Sequence, residues 1–206
     1  MNRRDAMIGV AGGLMGICAT RALPAADAVV AAQTTDEAIK LMTDVRQAQR
    51  FTDEPVAEAD IRKIVTIGCN APSALNRQPW FFSVVTDRAL LAEIDKAAKV
   101  DPKGRLSVGG SPLVIFVGVN ESDYSKYDAG AAADRMNVAA NLLGYGCKTV
   151  ATAAKAANSF KDKLGMPEEF EIFAALLIGV EKERSVDGVS GATTREPQDK
   201  KVAFIK

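Results

Sequence analysis

The pattern of apolar and polar positions predicts helices and short strands in irregular alternation from residue 34 onward. Thr34 and Glu37 form a capping box that begins a helix, with Ile39, Met42 and Val45 on one face. Four further helices are predicted from apolar spacing at Ile61–Gly68, Leu90–Ala98, Asp128–Leu143 and Ala154–Leu164. The helix 128–143 is rich in alanine, which lets a neighbouring helix approach closely, so we expect it to be the central core helix.

Strand character is concentrated in apolar runs bounded by turn residues. Leu113–Val119 is continuously apolar and predicts a fully buried strand, and we expect the segment Cys147–Thr152 to be a loop. The other predicted strands are Phe81–Thr86, Phe170–Val180 and a short tail strand at Val202–Lys206. This order predicts an α+β fold, with a mixed or antiparallel sheet sandwiched by helices.

The segment Ala71–Trp80, APSALNRQPW, separates the second helix from the first strand. Pro72 and Pro79 each remove a backbone donor and push the preceding residue toward extended geometry. We therefore expect an ordered, non-helical loop here. Ordered loops with this much restraint commonly carry function.

Composition narrows the function classes. The chain has 206 residues, 48% of them hydrophobic, which suffices for one good-sized core. The formal net charge is zero, so nothing indicates nucleic acid as a partner. Histidine is absent, which excludes histidine bases and histidine metal ligands, and no metal site is expected. A cofactor must therefore supply most of any chemistry.

The three cysteines, Cys18, Cys69 and Cys147, show no spacing typical of a zinc or iron–sulfur site. We expect them to be unpaired, with Cys69 on a buried helix pattern and Cys147 in a glycine-rich bend. The sequence leaves a Cys69–Cys147 disulfide open.

Residues 1–28 have the pattern of a twin-arginine signal peptide. Arg3 and Arg4 precede a short apolar run, and Ala26-Asp27-Ala28 provides a cleavage site of the small-x-small type. The run is shorter than the roughly 20 residues of a membrane span, although an uncleaved anchor is an alternative. We expect an exported protein with a linker at 29–35, a folded domain at 36–206 and no transmembrane span in the mature chain.

Four segments in order resemble landmarks of the nitroreductase family of FMN-dependent oxidoreductases. They are RFTDEPV at 50–56, the PSALNRQPW part of the loop, DAGAAADRMNVAANLLGYGC at 128–147 and TREP at 194–197. The resemblance covers residues 36 to 206. It implies FMN as cofactor and an interlocked homodimer, in which the tail strand crosses to the sheet of the partner subunit.

The resemblance also implies the residues that hold the flavin. The family's arginine-rich run before the phenylalanine corresponds to Val45–Gln49, where only Arg46 keeps its charge, so this grip is weakened. An alternative is that Arg46 and Arg50 are merely solvated cations. The implied cofactor-binding residues in these segments are Arg46, Gln47, Gln49 and Arg50 beside the phosphate, Pro72, Ser73, Ala74 and Asn76 from the opposite subunit, and the backbone of Thr149, Val150, Ala151 and Thr152.

A second motif, Asp187–Thr193 (DGVSGAT), resembles the signature of proteins that carry FMN as a phosphoester on threonine. Arg195 resembles the family's carboxy-terminal phosphate clamp and lies two residues after Thr193. A bond from Thr193 to the flavin phosphate would fix FMN in its ordinary site and compensate for the missing arginines. A chance Ser-Gly-Ala-Thr turn is the alternative.

These features predict an exported FMN-dependent oxidoreductase acting on a small organic substrate, with no side chain required as acid or base. Expected partners are a second copy of the chain, a redox partner and a flavin transferase. The alternative from a different class is a non-enzymatic flavinylated electron carrier in an extracytoplasmic redox chain. A third reading is a flavin-free structural domain.

Overall fold

The structure is a computed structural model that describes residues 35–43, 47–120, 124–182 and 197–205. Several predictions concern residues outside these ranges. They are the signal peptide at 1–28, the phosphate-side Arg46, and the carboxy-terminal motif with Thr193 and Arg195.

The described chain alternates helices and strands. The α-helices are α1 (Thr35–Thr43), α2 (Glu58–Cys69), α3 (Arg88–Ala97), α4 (Ser125–Leu142), α5 (Thr152–Ala157) and α6 (Lys161–Leu164). The strands are β1 (Trp80–Val85), β2 (Leu113–Val119), β3 (Gly146–Val150) and β4 (Glu171–Gly179). Short 3₁₀ turns lie at Ala74–Asn76, Asn158–Phe160 and Gln198–Lys200.

The strands form a four-stranded antiparallel sheet in the order β1-β2-β4-β3. The uniformly buried β2 lies inside the sheet, as its continuous apolar run predicts. β1 and β3 are the edges among the described strands. One row of the register joins Thr149, Leu176, Ile115 and Val84 across all four strands.

Helices cover both faces of the sheet, which confirms the predicted sandwich. On one face α2 and α4 pack against alternate residues of β2 and β4, including Ile115 and Leu176. On the other face α3 and α5 pack against the intervening residues of β2 and β4, including Phe116 and Leu177. The period of two in the strands thus assigns each side chain to one of two cores.

Helix α4 is the central core helix, as predicted. Ala132, Met136 and Ala140 are fully buried in the core between α4 and the sheet. A Cβ added at Gly68 of α2 would lie 2.7 Å from Met136 Cγ and Sδ. The small residue at position 68 therefore lets α2 lie directly against α4.

Two predictions about local structure are wrong. The segment Cys147–Thr152 is not a loop, because residues 146–150 form β3, paired with β4 from Gly146↔Gly179 to Val150↔Ala175. The predicted helix Ala154–Leu164 is interrupted by the 3₁₀ turn at Asn158. The Asn158 side chain exchanges hydrogen bonds with the backbone of Ile172 (2.8 and 2.9 Å), which ties the interruption to β4.

The cysteines of the described chain are unpaired, as expected, but their environments differ from the prediction. Cys69 is exposed, whereas Cys147 is fully buried in the core of α2 and α4. Burial raises the pKa of Cys147 to about 12. Its thiol is therefore a packing group and not a nucleophile at neutral pH.

Two apolar segments are exposed in the single subunit. Ile39 and Met42 of α1 are 57% and 65% exposed, although the pattern predicts them on a packed face. In the tail, Phe204 and Ile205 are 79% and 92% exposed, and residues 202–205 belong to no strand of the described chain. Exposed apolar side chains grouped in this way are typical of contact surfaces. No helix in the described ranges is long and apolar enough to cross a membrane.

A polar cluster joins the start of α2 to the turn before β3. The Asp60 carboxylate accepts hydrogen bonds from Lys63 Nζ (2.8 Å) and the Tyr145 hydroxyl (3.1 Å). The hydrogen bond from Lys63 is the main cause that lowers the pKa of Asp60 below its ordinary 3.8, and the bond from Tyr145 adds to it. A lowered folded-state pKa means stabilisation that is present above pH 3.8 and lost as the pH falls through the folded-state value.

We therefore expect Asp60→Asn to lower the free energy of unfolding by about 1 kcal/mol at pH 7. The difference from the wild type should shrink as the pH falls below about 3.8 and disappear as it passes the lower folded-state pKa, where Asp60 is neutral like asparagine. Urea unfolding at pH 7 and pH 3 measures both values. An equal difference at the two pH values would contradict the assignment.

Candidate functional site

The segment 47–52 runs along the outer edge of β3 and then beside the end of β4. Gln47 forms a parallel β-bridge with Cys147, and the Ala48 N–H donates to the Cys147 carbonyl at 2.8 Å. The Gln47 Oε1 accepts the Thr149 N–H at 3.3 Å. Two groups of candidate residues that are 102 positions apart in the sequence therefore lie together at this edge.

A cavity of about 250 Å³ opens beside this segment, on the α3 and α5 side of the sheet. Four cationic side chains line it, and its lining residues among the described chain include no carboxylate. The cationic residues are Arg50, Lys103, Arg105 and Lys182. The polar and apolar lining residues are Gln49, Ser107, Phe51, Pro102, Leu177, Gly104 and Gly110. Such a lining favours an anionic or electron-rich group.

The loop 101–111, between α3 and β2, provides two of the cations. It is fixed from beneath by a buried lysine, because Lys148 Nζ donates to the Arg105 carbonyl. Lys148 is only 8% exposed, and burial together with the charge of Arg105 lowers its pKa. The Lys148 side chain therefore supports the loop, and positive charge is concentrated on the loop at Lys103 and Arg105 and beneath it at Lys148.

The loop 71–80 is ordered and non-helical over most of its length, as predicted. Leu75, Asn76 and Gln78 have φ of 53°, 54° and 49°, a left-handed backbone that is costly for residues with a side chain. Two hydrogen bonds hold the loop in this geometry. The Gln78 N–H donates to Ser73 Oγ (2.9 Å), and the Ala74 N–H donates to the buried side chain of Asp128 in α4 (3.0 Å).

This strained loop presents its tip to solvent. Leu75 is 84% exposed, and Asn76 beside it is also exposed. The loop thus holds an exposed apolar side chain on a left-handed backbone that is costly for leucine.

The structure does not bring all candidate residues together within one subunit. Thr149 lies at the β3 edge, whereas the loop with Asn76 leads into β1 at the opposite edge. Three strand spacings and the length of β1 separate them by roughly 20 Å. The two halves of the predicted site are therefore on opposite sides of the subunit.

Known proteins show which family this chain resembles. The profile of the Nitroreductase family matches residues 46–106, which include the segment 47–52, the strained loop and the loop 101–106 of the cavity. A proposed NADH dehydrogenase/NAD(P)H nitroreductase of Archaeoglobus fulgidus is 27% identical over 157 residues, which cover 72% of this chain and 87% of that protein. The chain is similar to the nitroreductase family over these residues. A second relative, an FMN reductase [NAD(P)H] of Bacillus subtilis, is 25% identical over 169 residues, which are 73% of this chain and 68% of that protein.

Solved structures show that the nitroreductase fold extends over most of the chain. A nitroreductase of Bacteroides fragilis with bound FMN superposes with a TM-score of 0.69 at 18% identity, covering 84% of this chain and all of that one. A nitroreductase of Desulfitobacterium hafniense with bound FMN gives a TM-score of 0.69 at 20% identity, covering 82% and 97%. The α+β nitroreductase-like fold expected from the sequence is thus confirmed.

Sequence reasoning missed part of this candidate site. The cavity is lined by the predicted residues Gln49 and Arg50 and by three cations that no motif indicated, Lys103, Arg105 and Lys182. The run Asp-Pro-Lys-Gly-Arg at 101–105 was an available signal, since it places two cations in a turn within the loop that leads to a buried strand.

Proposed function

We propose that this chain is an exported FMN-dependent oxidoreductase that transfers electrons to or from a small organic substrate. The observation that carries the proposal is the cationic cavity at the end of the segment 47–52, in a chain similar to the nitroreductase family at residues 46–106. The FMN-bound solved structures of the same fold support FMN as the cofactor.

The residues present fit FMN. Its phosphate is anionic and its pyrimidine edge is rich in acceptor atoms, and both are recognised by cations and amide donors. Arg50, Lys103, Arg105 and Lys182 provide the cations, and Gln49 provides an amide. The cavity of about 250 Å³ is below the roughly 300–1,000 Å³ of ligand pockets. It therefore accommodates one end of such a cofactor, and other surfaces must cover the remainder.

Bound FMN supplies the chemistry by taking electrons from a donor and passing them to an acceptor. The protein orients the bound FMN and stabilises its charge. The cations of the cavity offset negative charge on the bound group. A backbone hydrogen bond joins Lys182 to Arg50 of the segment 47–52, and the supported loop 101–111 holds Lys103 and Arg105. The exposed Leu75 on the strained loop covers apolar surface and excludes water. No histidine is present, and the buried Cys147 takes no part.

The missing cover comes from a second copy of the chain. Asn76 lies roughly 20 Å from Thr149 within one subunit, so a symmetric dimer can place the loop of one subunit over the cavity of the other. The exposed apolar tail at 202–205 and the edge strand β1 suit strand exchange between two copies. The interlocked homodimer thus completes two equal sites.

Export and covalent attachment are further parts of the proposal. The paired arginines at 3 and 4 support export by the twin-arginine route, and DGVSGAT at 187–193 supports a phosphoester from Thr193 to FMN. Arg46 and Arg195 would flank the phosphate. A tether prevents loss of the cofactor outside the cell, where a flavin transferase and a redox partner act on the protein.

The experiment is to purify residues 29–206 with excess FMN, remove free flavin, and record the visible spectrum and turnover. We expect yellow protein with one flavin per chain that reduces a nitroarene or quinone when electrons are supplied. Colourless protein would contradict the proposal. The acceptor motif favours a second candidate, a flavinylated electron carrier. For a carrier, the yellow protein would exchange electrons with a partner protein yet reduce small oxidants no faster than free FMN.

A further inference from the structure

A buried carboxylate lies beneath the loop 101–111. Asp95, in the last turn of α3, is 2% exposed. Its Oδ1 accepts the Val108 N–H at 2.9 Å, and its Oδ2 accepts the Gly109 N–H at 2.9 Å and the Ser107 hydroxyl at 2.5 Å. Burying a carboxylate is costly unless it is hydrogen-bonded, and here three donors of one loop meet that cost.

The hydrogen bonds form a directed chain. The Gly110 N–H donates to Ser107 Oγ at 3.1 Å, and the Ser107 hydroxyl donates onward to Asp95. A Cβ at position 109 would lie 3.0 Å from Asp95 Oδ2, so glycine permits this close approach. The sequence Ser107-Val-Gly-Gly110 is therefore shaped to wrap one carboxylate.

The position of this cluster links it to the cavity. Ser107 and Gly110 line the cavity themselves, and Arg105 and Lys103 precede them by two and four residues. Asp95 fixes the end of the loop nearest β2, and Lys148 fixes its middle through the Arg105 carbonyl. Removing Asp95 would free the backbone that sets the direction of the two cations.

We propose that Asp95 is a positioning residue for the cofactor site: it orders the loop 101–111 in advance, so that Lys103 and Arg105 meet FMN without further loss of conformational freedom. This inference rests on the proposed function, because it takes FMN as the group bound in the cavity. Preorganisation raises affinity by removing the ordering cost from the binding step.

The test uses Asp95→Asn and Ser107→Ala in the full dimeric protein made without a flavin transferase. Asparagine keeps the shape but replaces one acceptor oxygen by a donor, so a loop N–H loses its partner. Ser107→Ala removes the hydroxyl that donates to Asp95 and accepts from the Gly110 N–H but leaves the carboxylate with its two backbone donors, and it serves if Asp95→Asn fails to fold. The control is Asp87→Ala, which removes the N-cap acceptor of the same helix (2.9 Å from the Ala89 N–H) at the end away from the loop.

Three readouts are compared: hydrogen exchange of the amides 108–110 in apoprotein, the FMN dissociation constant, and the flavin reduction potential. We expect faster exchange and about tenfold weaker FMN binding for Asp95→Asn, about threefold weaker for Ser107→Ala, and a wild-type dissociation constant for Asp87→Ala. The potential should shift only in the two loop variants, since a merely destabilised helix leaves the charges around the flavin unchanged.

Unchanged FMN affinity and potential in Asp95→Asn and Ser107→Ala, with faster exchange of the loop amides, would overturn the inference while leaving the proposed function intact. A wild-type protein that binds no FMN would instead remove the proposed function, and the inference with it.

Discussion

Denaturing mass spectrometry of the mature protein, produced together with a flavin transferase, is expected to show a gain of one FMN less one water. The phosphoester on Thr193 accounts for this mass, because ester formation releases water and survives unfolding. Thr193→Val should abolish the gain completely, since valine has the same shape but no hydroxyl. Thr194→Val is the matched control one residue further along, and it should keep the full gain.

The result distinguishes the covalent bond at Thr193 from non-covalent binding of FMN in the cavity. Retention of the mass gain in Thr193→Val would place the bond elsewhere, and no gain in the wild type would reduce DGVSGAT to a chance turn. In the second case non-covalent FMN binding to the cavity would stand unchanged, because the cavity is built from residues 49–182.

Reversal of one charge in the cavity should weaken FMN binding by about two orders of magnitude. Arg105→Glu removes a charge-assisted hydrogen bond, worth about 1.5–3 kcal/mol, and adds repulsion toward an anionic group. A hundredfold change corresponds to about 2.7 kcal/mol. Titration of apoprotein with FMN, followed by quenching of flavin fluorescence, gives both dissociation constants.

Lys96→Glu changes the net charge of the protein by the same amount and is the control. Lys96 is exposed on α3 and does not line the cavity. The affinity of Lys96→Glu for FMN should stay near that of the wild type. Raising the salt concentration should weaken FMN binding by the wild type more than FMN binding by Arg105→Glu. Equal losses in the two variants would mean that only the overall charge matters and that the cavity is not the site.

The sequence predicts the elements whose signal is local. The unbroken apolar run of β2, the helical spacing at Ile64 and Gly68, and the two prolines around the loop each define their own backbone. β3 was missed because Lys148 and Thr149 interrupt its apolar pattern, and glycines precede it. It is a strand because β4 offers a paired edge, which is a tertiary cause.

The cavity could not be read from the sequence for a similar reason. Arg50, Arg105 and Lys182 come from three separate segments, and only the antiparallel pairing of the chain around β4 brings them together. The support from Asp95 was equally hidden, since an acidic residue on a helix is usually solvated. Motif resemblance pointed to the nitroreductase fold, and the three-dimensional structure was required to find the cationic residues that line the cavity.

The most direct measurement of the central claim, a flavin site shared between two subunits, is FMN binding to a mixed dimer. Arg105→Glu and Asn76→Glu chains with different affinity tags are co-expressed, and the mixed dimer is isolated by both tags. Each variant homodimer should bind FMN weakly. The mixed dimer should bind about one FMN at wild-type affinity, because one intact cavity meets one intact loop across the two-fold axis. A mixed dimer that binds no better than either homodimer would contradict the shared site.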